Sequence, residues 1–128
     1  MSEVEHLAFA NPSSPHWAGR DARILLEDSR GKLAQALGAK SQEIFFTSGG
    51  SESNNTVLRQ LLMTSGEKHI ISSAVEHPSV LETCRILAEQ QNIQFTELAV
   101  DSSGTLAPDD LSAAIRPETK LISLISAN

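Results

Sequence analysis

The 128-residue sequence is poor in aromatic side chains, with four Phe, one Trp and no Tyr, and it has a single cysteine. The shortage of aromatics argues against a stacking platform for nucleic acid. A net charge of −6 also argues against a nucleic-acid surface, which needs clustered Lys and Arg. One cysteine, Cys84, excludes an internal disulfide and is typical of a reducing compartment. No apolar stretch approaches the ~20 residues of a membrane span. We therefore predict a soluble, cytoplasmic domain without nucleic-acid or membrane partners.

Motifs for metal binding and secretion are missing as well. The sequence has no CxxC and no HExxH, so a zinc site has no support. Residues 1–10 include two glutamates and lack the basic start and apolar centre of a signal peptide. The length suits one domain with a substantial core.

Apolar periodicity predicts strands that alternate with helices, which is the pattern of an α/β fold with a mainly parallel sheet and right-handed crossovers. Residues 1–19 lack a sustained period and are rich in turn formers, so we expect an extended opening segment before a domain at 20–128. Gly38 is expected to cap the first helix, whose apolar stripe is Ala22, Leu26, Leu33 and Leu37. The predicted helices are 20–37, 56–63, 78–91 and 108–115, and the predicted strands are 43–46, 69–72, 93–100 and 121–125.

A small-residue turn at 47–55 connects the first predicted strand to the second predicted helix. Such an arrangement aims backbone N–H groups and a positive helix end at an anion. Gly49 and Gly50 allow either a positive φ or the close approach of a ligand, Ser51 or Ser53 can cap the helix, and Glu52 supports its first turn. An ordinary strand end followed by a helix start explains the same residues, so both interpretations stay open here.

Two sharper motifs fail at this turn. A P-loop requires GxxxxGK[ST], and no lysine follows these glycines. A nucleophile elbow requires GxSxG, but Ser53 occupies the place of the last glycine, and the order of later acids and histidines is also wrong.

His77 and Cys84 are the two reactive side chains near the third predicted helix. His77 lies at a strand-to-helix junction, on the sheet edge where ligands of open α/β sheets gather, and could stack on a flat ring or transfer a proton. A packing role is the simpler alternative. Cys84 lies on the apolar face of the helix, so we interpret it as a small core residue.

Two runs of the sequence resemble the cysteine desulfurases, which belong to the class V aminotransferase group of fold-type I pyridoxal-phosphate enzymes. The runs are Phe46 to Asn55 (FTSGGSESNN) and Glu76 to Leu81 (EHPSVL). The opening residues Asn11 to Ser14, with His16, Gly19, Ala22 and Arg23, and the final run Leu121 to Asn128 are similar too. The resemblance covers about the first third of a typical family member. It implies a three-layer α/β/α fold and a partial large domain that binds pyridoxal 5′-phosphate.

The resemblance also implies roles for four residues. Gly50 and Ser51 match the pair that holds the cofactor phosphate, although the family often has threonine in place of Ser51. His77 matches the histidine that stacks on the pyridine ring and is proposed to help proton movement. Asn128 is expected to match an asparagine that reaches the cofactor oxygen. In the complete family enzyme, L-cysteine gives L-alanine and its sulfur passes to an enzyme persulfide and then to an acceptor.

Other family residues have no counterpart in these 128 residues. The Schiff-base lysine in its Ser-x-His-Lys setting is absent, and so is the aspartate that pairs with the pyridine nitrogen. The catalytic cysteine is absent too, and Cys84 does not replace it. Pyridoxal-phosphate chemistry needs the lysine and the acid, so we predict that the chain alone is inactive. The alternative is a non-enzymatic binding or interaction module that keeps the phosphate-binding turn.

We also expect a homo-oligomer formed through exposed strand edges. The lysines that match no part of the motif are Lys32, Lys40, Lys68 and Lys120.

Overall fold

The computed structural model describes residues 9–127, which form two compact units that divide between Phe46 and Thr47. The first unit contains helix α1 (Trp17–Leu37) and a 3₁₀ helix (Ser41–Glu43). The second contains the sheet and the remaining helices. Its elements in chain order are α2 (Gly50–Arg59), a 3₁₀ helix (Gln60–Met63), β1 (His69–Ser73), α3 (Pro78–Gln91), β2 (Gln94–Leu98), α4 (Pro108–Ala114) and β3 (Thr119–Ser123). The division into an opening segment 1–19 and a domain 20–128 stays a prediction.

Helix α1 ends as predicted, but only part of its predicted apolar stripe is buried. Gly38 adopts the left-handed conformation at φ 66°, and the N–H of Ala39 donates to the Ala34 carbonyl at 2.9 Å, which satisfies an end carbonyl. Of the predicted apolar stripe, Ala22 is buried and Leu26 is half-buried, but Leu33 and Leu37 are 44% and 71% exposed, so the prediction is wrong for the second half of the helix. The buried residues are all small: Ala18, Gly19, Ala22 and Ala34.

Close packing explains that small-residue face. A Cβ on Gly19 would lie 2.5 Å from the Ser14 carbonyl oxygen and 2.7 Å from that of Asn11. The opening segment therefore crosses the start of α1 at a distance that only glycine permits. Helix α1 also begins at Trp17, three residues before its predicted start at Arg20.

The predicted strand at 43–46 is wrong. Glu43 ends a 3₁₀ helix, and the residues after it are extended but pair with no strand in the described part of the chain. A strand needs a neighbour for its backbone hydrogen bonds, and Phe45, at 81% exposed, gains no burial here. Arg30 supports this segment, since its guanidinium donates to the Ile44 carbonyl and lies 5.0 Å from the Phe46 ring centroid, a cation–π contact.

The sheet has the order β2-β1-β3, and both of its strand pairs are parallel. Ile70 pairs with Phe95 on one side and with Leu121 on the other. The connections from β1 to β2 and from β2 to β3 cross the sheet in opposite directions, so right-handed crossovers put α3 and α4 on opposite faces. The prediction of an α/β fold with a mainly parallel sheet is confirmed.

The core of the second unit lies between the sheet and helices α2 and α3. Seven buried side chains form it, and each aliphatic one contributes about 1.5–3 kcal/mol on burial. Cys84 is fully buried among them, and burial, with a smaller effect of the Glu76 charge, raises the pKa of its thiol to about 11. This confirms Cys84 as a core residue. The cluster is Leu58, Leu61, Ile70, Val80, Cys84, Leu87 and Ile93, with Phe95 and Leu121 packed against it.

A buried histidine that the sequence did not single out joins all three strands. The Nδ1 atom of His69 lies 2.8 Å from the Thr119 hydroxyl on β3. Its Nε2 atom lies 2.8 Å from the Thr96 hydroxyl on β2. Both ring nitrogens are thus hydrogen-bonded, as a fully buried imidazole requires.

Candidate functional site

The turn before α2 is built around Gly49, which is the N-cap of the helix. The predicted caps Ser51 and Ser53 are wrong, because α2 begins at Gly50 and both serines lie inside it. The Ser53 hydroxyl instead lies 2.7 Å from the Thr47 hydroxyl. This hydrogen bond stabilises the turn through side chains of the turn itself and does not involve Gly50 or Ser51.

Glu52 supports the first turn of α2, as predicted. Its carboxylate accepts hydrogen bonds from the Ser48 hydroxyl at 2.6 Å and from the Ser48 backbone N–H at 2.7 Å. These two bonds, the hydroxyl first, lower the pKa of Glu52 below its ordinary value. A carboxylate in the first turn is favourable because the helix end carries a partial positive charge.

The two glycines of the turn are not required by the backbone or by packing within the chain. Gly49 has φ 163°, which is extended backbone, and Gly50 has no positive φ. A Cβ added to either glycine would meet no described atom within 4 Å. A left-handed φ is therefore excluded as the reason for these glycines, and the close approach of a ligand stays a prediction beside an ordinary helix start.

Hydrogen-bond donors are free at the same place. The N–H groups of Gly50 and Ser51 and the Ser51 hydroxyl have no partner within residues 9–127, and Ser51 is exposed. The first N–H groups of a helix have no intrahelical acceptor and point outward, which makes a favourable anion site. Both predicted phosphate-binding residues therefore lie at this helix start, and their role in binding stays a prediction.

His77 is the N-cap of α3 and is exposed. Its Nδ1 atom accepts a hydrogen bond from the Ser79 N–H at 3.1 Å and lies 2.8 Å from the Ser79 hydroxyl oxygen. Pro78 occupies the first helical position, where its missing N–H costs nothing. The strand-to-helix junction predicted for His77 is confirmed.

A hydrogen bond connects the two helix starts. The side-chain amide of Asn54 on α2 donates to the Ser79 hydroxyl at 2.9 Å. Thr83 on α3 donates to the Asn55 side chain at 3.0 Å, which makes a second link. The start of α2 and the histidine are therefore brought to one end of the sheet, and sequence reasoning had missed Asn54 and Ser79.

Glu76 ties the loop after β1 to the segment after β3. Its carboxylate is only 8% exposed and accepts a hydrogen bond from the Ile125 backbone N–H. The segment that leads to Asn128 is thereby held beside His77. Asn128 itself lies outside the described residues, so its role stays a prediction.

The lysines of the second unit lie away from this edge. Lys68 immediately precedes β1, and Lys120 is near the start of β3. His77 follows the opposite end of β1, and four residues of strand span about 13 Å. Lys32 and Lys40 belong to the first unit, where Lys32 pairs with Asp28 at 2.6 Å.

Residues 9–127 contain neither a membrane-spanning helix nor a cluster of metal ligands. No helix in this range is long and apolar enough to cross a membrane. No group of three or more His, Cys, Asp or Glu side chains in the same range could hold a metal ion.

Comparison with known proteins gives one family and several close relatives. The family model "Aminotransferase class-V" matches residues 1–128. A protein of Dictyoglomus turgidum named cysteine desulfurase IscS is 51% identical over 123 residues, which cover 94% of this chain and 31% of that protein. The chain spans about a third of the length of the curated relatives it matches.

Solved structures agree with this comparison. A NifS-like protein superposes with a TM-score of 0.85 and 32% identity, covering 98% of this chain and 35% of that one. The structure described as SspA in complex with cysteine superposes with a TM-score of 0.84 and 36% identity, covering 95% of this chain and 36% of that one.

Proposed function

Because the chain belongs to the class V aminotransferase family, we propose that it forms part of the pyridoxal-phosphate-binding large domain of a cysteine desulfurase. The whole enzyme would convert L-cysteine to L-alanine and pass the sulfur to a cysteine thiolate as a persulfide. The observation that carries the proposal is the meeting of free donors at the start of α2 with His77 at the start of α3, joined through Asn54 and Ser79.

The residues present fit the phosphate of this cofactor. Gly49 and Gly50 leave open space where a Cβ would stand, so a phosphate can approach the backbone closely. The N–H groups of Gly50 and Ser51 and the Ser51 hydroxyl are donors for it. Charge-assisted hydrogen bonds of this kind contribute roughly 1.5–3 kcal/mol each.

His77 is the residue of this chain that would contact the cofactor ring. Its imidazole is exposed and held by Ser79, so it can present a flat face to an aromatic ring. Pyridoxal phosphate, when bound, would supply an electron sink. The part of this chain is to bind the phosphate, orient the ring and fix its distance from the sheet.

Covalent attachment of the cofactor is not expected within these residues. Lys68 and Lys120 lie toward the amino ends of their strands, and the phosphate turn and His77 lie at the opposite end. We therefore expect the 128-residue chain to hold the phosphate without a lysine bond, and to be inactive without a lysine from elsewhere. The alternative function, a non-enzymatic module that binds a phosphate group, uses the same donors.

Ser51→Ala tests the phosphate site. Loss of one charge-assisted hydrogen bond should weaken the binding of inorganic phosphate about tenfold or more, measured by calorimetry. Ser112→Ala is the matched control, because its hydroxyl donates to the Pro108 carbonyl on α4, and should leave the affinity unchanged. Equal affinities for the Ser51 variant and the native chain would move the site elsewhere.

Reduction with borohydride tests the absence of a covalent site. After incubation with pyridoxal phosphate and reduction, mass spectrometry should find no stoichiometric modification at any of the four lysines. A single fully modified lysine would contradict the proposal that attachment lies outside these residues.

Cytoplasmic location and homo-oligomer formation belong to the proposal as well. The cytoplasmic location is proposed from the single cysteine, which is free and buried. The homo-oligomer is proposed from the family, whose desulfurases we expect to dimerise around their active sites.

A further inference from the structure

The hydrogen bonds around His77 determine where its proton lies. The backbone N–H of Ser79 can only donate, and it donates to Nδ1 at 3.1 Å. Nδ1 must therefore carry a lone pair. A neutral imidazole has one N–H and one bare nitrogen, so the proton belongs on Nε2.

The Asn54 hydrogen bond agrees with this assignment. Its amide N–H donates to the Ser79 hydroxyl oxygen at 2.9 Å, so that oxygen is already an acceptor. The hydroxyl proton is then free to point at Nδ1, which lies 2.8 Å away. The donor direction runs from Asn54 to Ser79 and from Ser79 to His77, and each hydrogen bond agrees with the others.

We infer that Ser79 and Asn54 are positioning residues that hold neutral His77 in the Nε2–H form, which makes the exposed edge of its ring a hydrogen-bond donor. The functional meaning rests on the proposed function, whereas the tautomer itself does not. Which nitrogen of a histidine carries the proton is set by the bond that the other nitrogen makes.

This arrangement separates the two roles considered for His77. A neutral imidazole protonated on Nε2 has no lone pair there, so it cannot accept a proton at its exposed edge. Accepting one at Nδ1 would turn that atom into a donor that faces the Ser79 backbone N–H, so that hydrogen bond would break and the Ser79 hydroxyl would have to turn its proton away. In the proposed enzyme, His77 therefore stacks and donates a hydrogen bond through Nε2, and it does not serve as a base from this conformation.

Long-range ¹H–¹⁵N correlation spectra of the full 128-residue chain, without cofactor, test the inference. In spectra recorded at about pH 8.5, His77 should show an N–H-type Nε2 and a bare Nδ1 with no averaging. His16 is an internal control, because it is exposed and makes no side-chain capping bond, so its two tautomers should average. His77→Gln identifies the signals.

Three variants follow the hydrogen bonds. Ser79→Ala should shift the His77 signals part of the way toward the averaged values of His16, and Ser79→Thr, which keeps the hydroxyl, should restore them. Asn54→Asp should increase the Nδ1–H fraction, because a carboxylate only accepts and would take the Ser79 proton. The His69 signals report an intact sheet in each variant, since both of its ring nitrogens are bonded there.

An averaged His77 in the native chain, or a dominant Nδ1–H form, would overturn the inference, and so would a folded Ser79→Ala variant with unchanged His77 signals. If a variant fails to fold, the comparison of His77 with His16 in the native chain decides alone. Because no cofactor is added, failure of phosphate binding would refute the proposed function without affecting this result.

Discussion

At the scale of single residues, two histidines on the same strand–loop segment have opposite environments. His69 starts β1, is fully buried and is hydrogen-bonded at both ring nitrogens. His77 follows the far end of β1 and is exposed, with only Nδ1 engaged. The first is therefore part of the sheet, and the second remains available to a ligand.

Acidification should destabilise the fold through His69. Burial, and then the nearby Arg116 charge, lower its pKa below 6.5, against an opposing effect of Glu118. Because the pKa of His69 is lower in the folded chain, the unfolded chain binds more protons as the pH falls. The contribution of neutral His69 to the free energy of unfolding is therefore complete above about pH 6.5, and it is lost as the pH falls toward the lower pKa of the folded chain. Urea denaturation at about pH 7.5 and about pH 5.5 should show lower stability at the acidic value.

His69→Leu checks that assignment. The variant should lose stability at neutral pH by about 1–3 kcal/mol, because the hydroxyls of Thr96 and Thr119 lose their hydrogen bonds to the imidazole, and its remaining stability should depend less on pH. The exposed control His16→Gln should keep the native pH profile. An identical pH dependence in His69→Leu would assign the effect to other groups.

Cys84 should be chemically inert in the folded chain. With a pKa of about 11, only about 0.001 of the thiol is ionised at pH 8, and the side chain is fully buried. A thiol-reactive disulfide reagent should therefore modify it only at the rate of unfolding, and rapidly in denaturant. Fast modification under native conditions would show that the sulfur is accessible.

At the scale of elements, local sequence patterns predicted the ends of some helices and strands correctly and the ends of others wrongly. Helix α3 spans residues 78–91 as predicted, because Pro78 marks its first turn and an apolar face continues to its end. Helix α2 begins at Gly50, six residues before its predicted start at Thr56, since small polar residues suit a turn and a first helical turn equally well. The 43–46 strand was wrong because a strand depends on a distant partner.

Gly50→Ala separates stability from binding at the phosphate turn. The added methyl meets no described atom and lies in a helix, so we expect a gain of about 0.5–1 kcal/mol together with weaker phosphate binding. Gly19→Ala is the contrasting variant, because its Cβ would lie 2.5 Å from the Ser14 carbonyl oxygen, and it should cost about 1–3 kcal/mol. Undiminished phosphate binding by Gly50→Ala would mean that no ligand approaches there.

At the scale of the whole molecule, the candidate site depends on contacts between distant positions. The hydrogen bond from Asn54 to Ser79 joins residues 25 apart, and that from Ile125 to Glu76 joins residues 49 apart. The motifs and the resemblance predicted Gly50, Ser51 and His77, because these carry local signals. They could not predict Asn54, Ser79 or Glu76, whose roles arise only when the parallel sheet brings the loops together. The one local indication of these roles was Ser79, a serine that lies two residues after His77 at a helix start.

Exposed apolar residues near the edge strand β3 lead us to expect self-association. Ile122 and Leu124 are about two-fifths exposed, and β3 is an edge of the sheet formed by the described residues, where unpaired backbone groups can recruit another strand. Sedimentation velocity should show larger species as the concentration rises, and Leu124→Glu should weaken the association. A single monomeric species at the highest concentration would contradict the expectation.

The central claim is that the start of α2 holds a phosphate beside His77. A titration of the ¹⁵N-labelled chain with inorganic phosphate tests it most directly, because each backbone amide reports its own surroundings. We expect saturable shifts of the Gly50 and Ser51 amides, with smaller changes at His77, and no comparable shifts on α4. Saturable shifts confined to other residues, or none at these two amides, would contradict it.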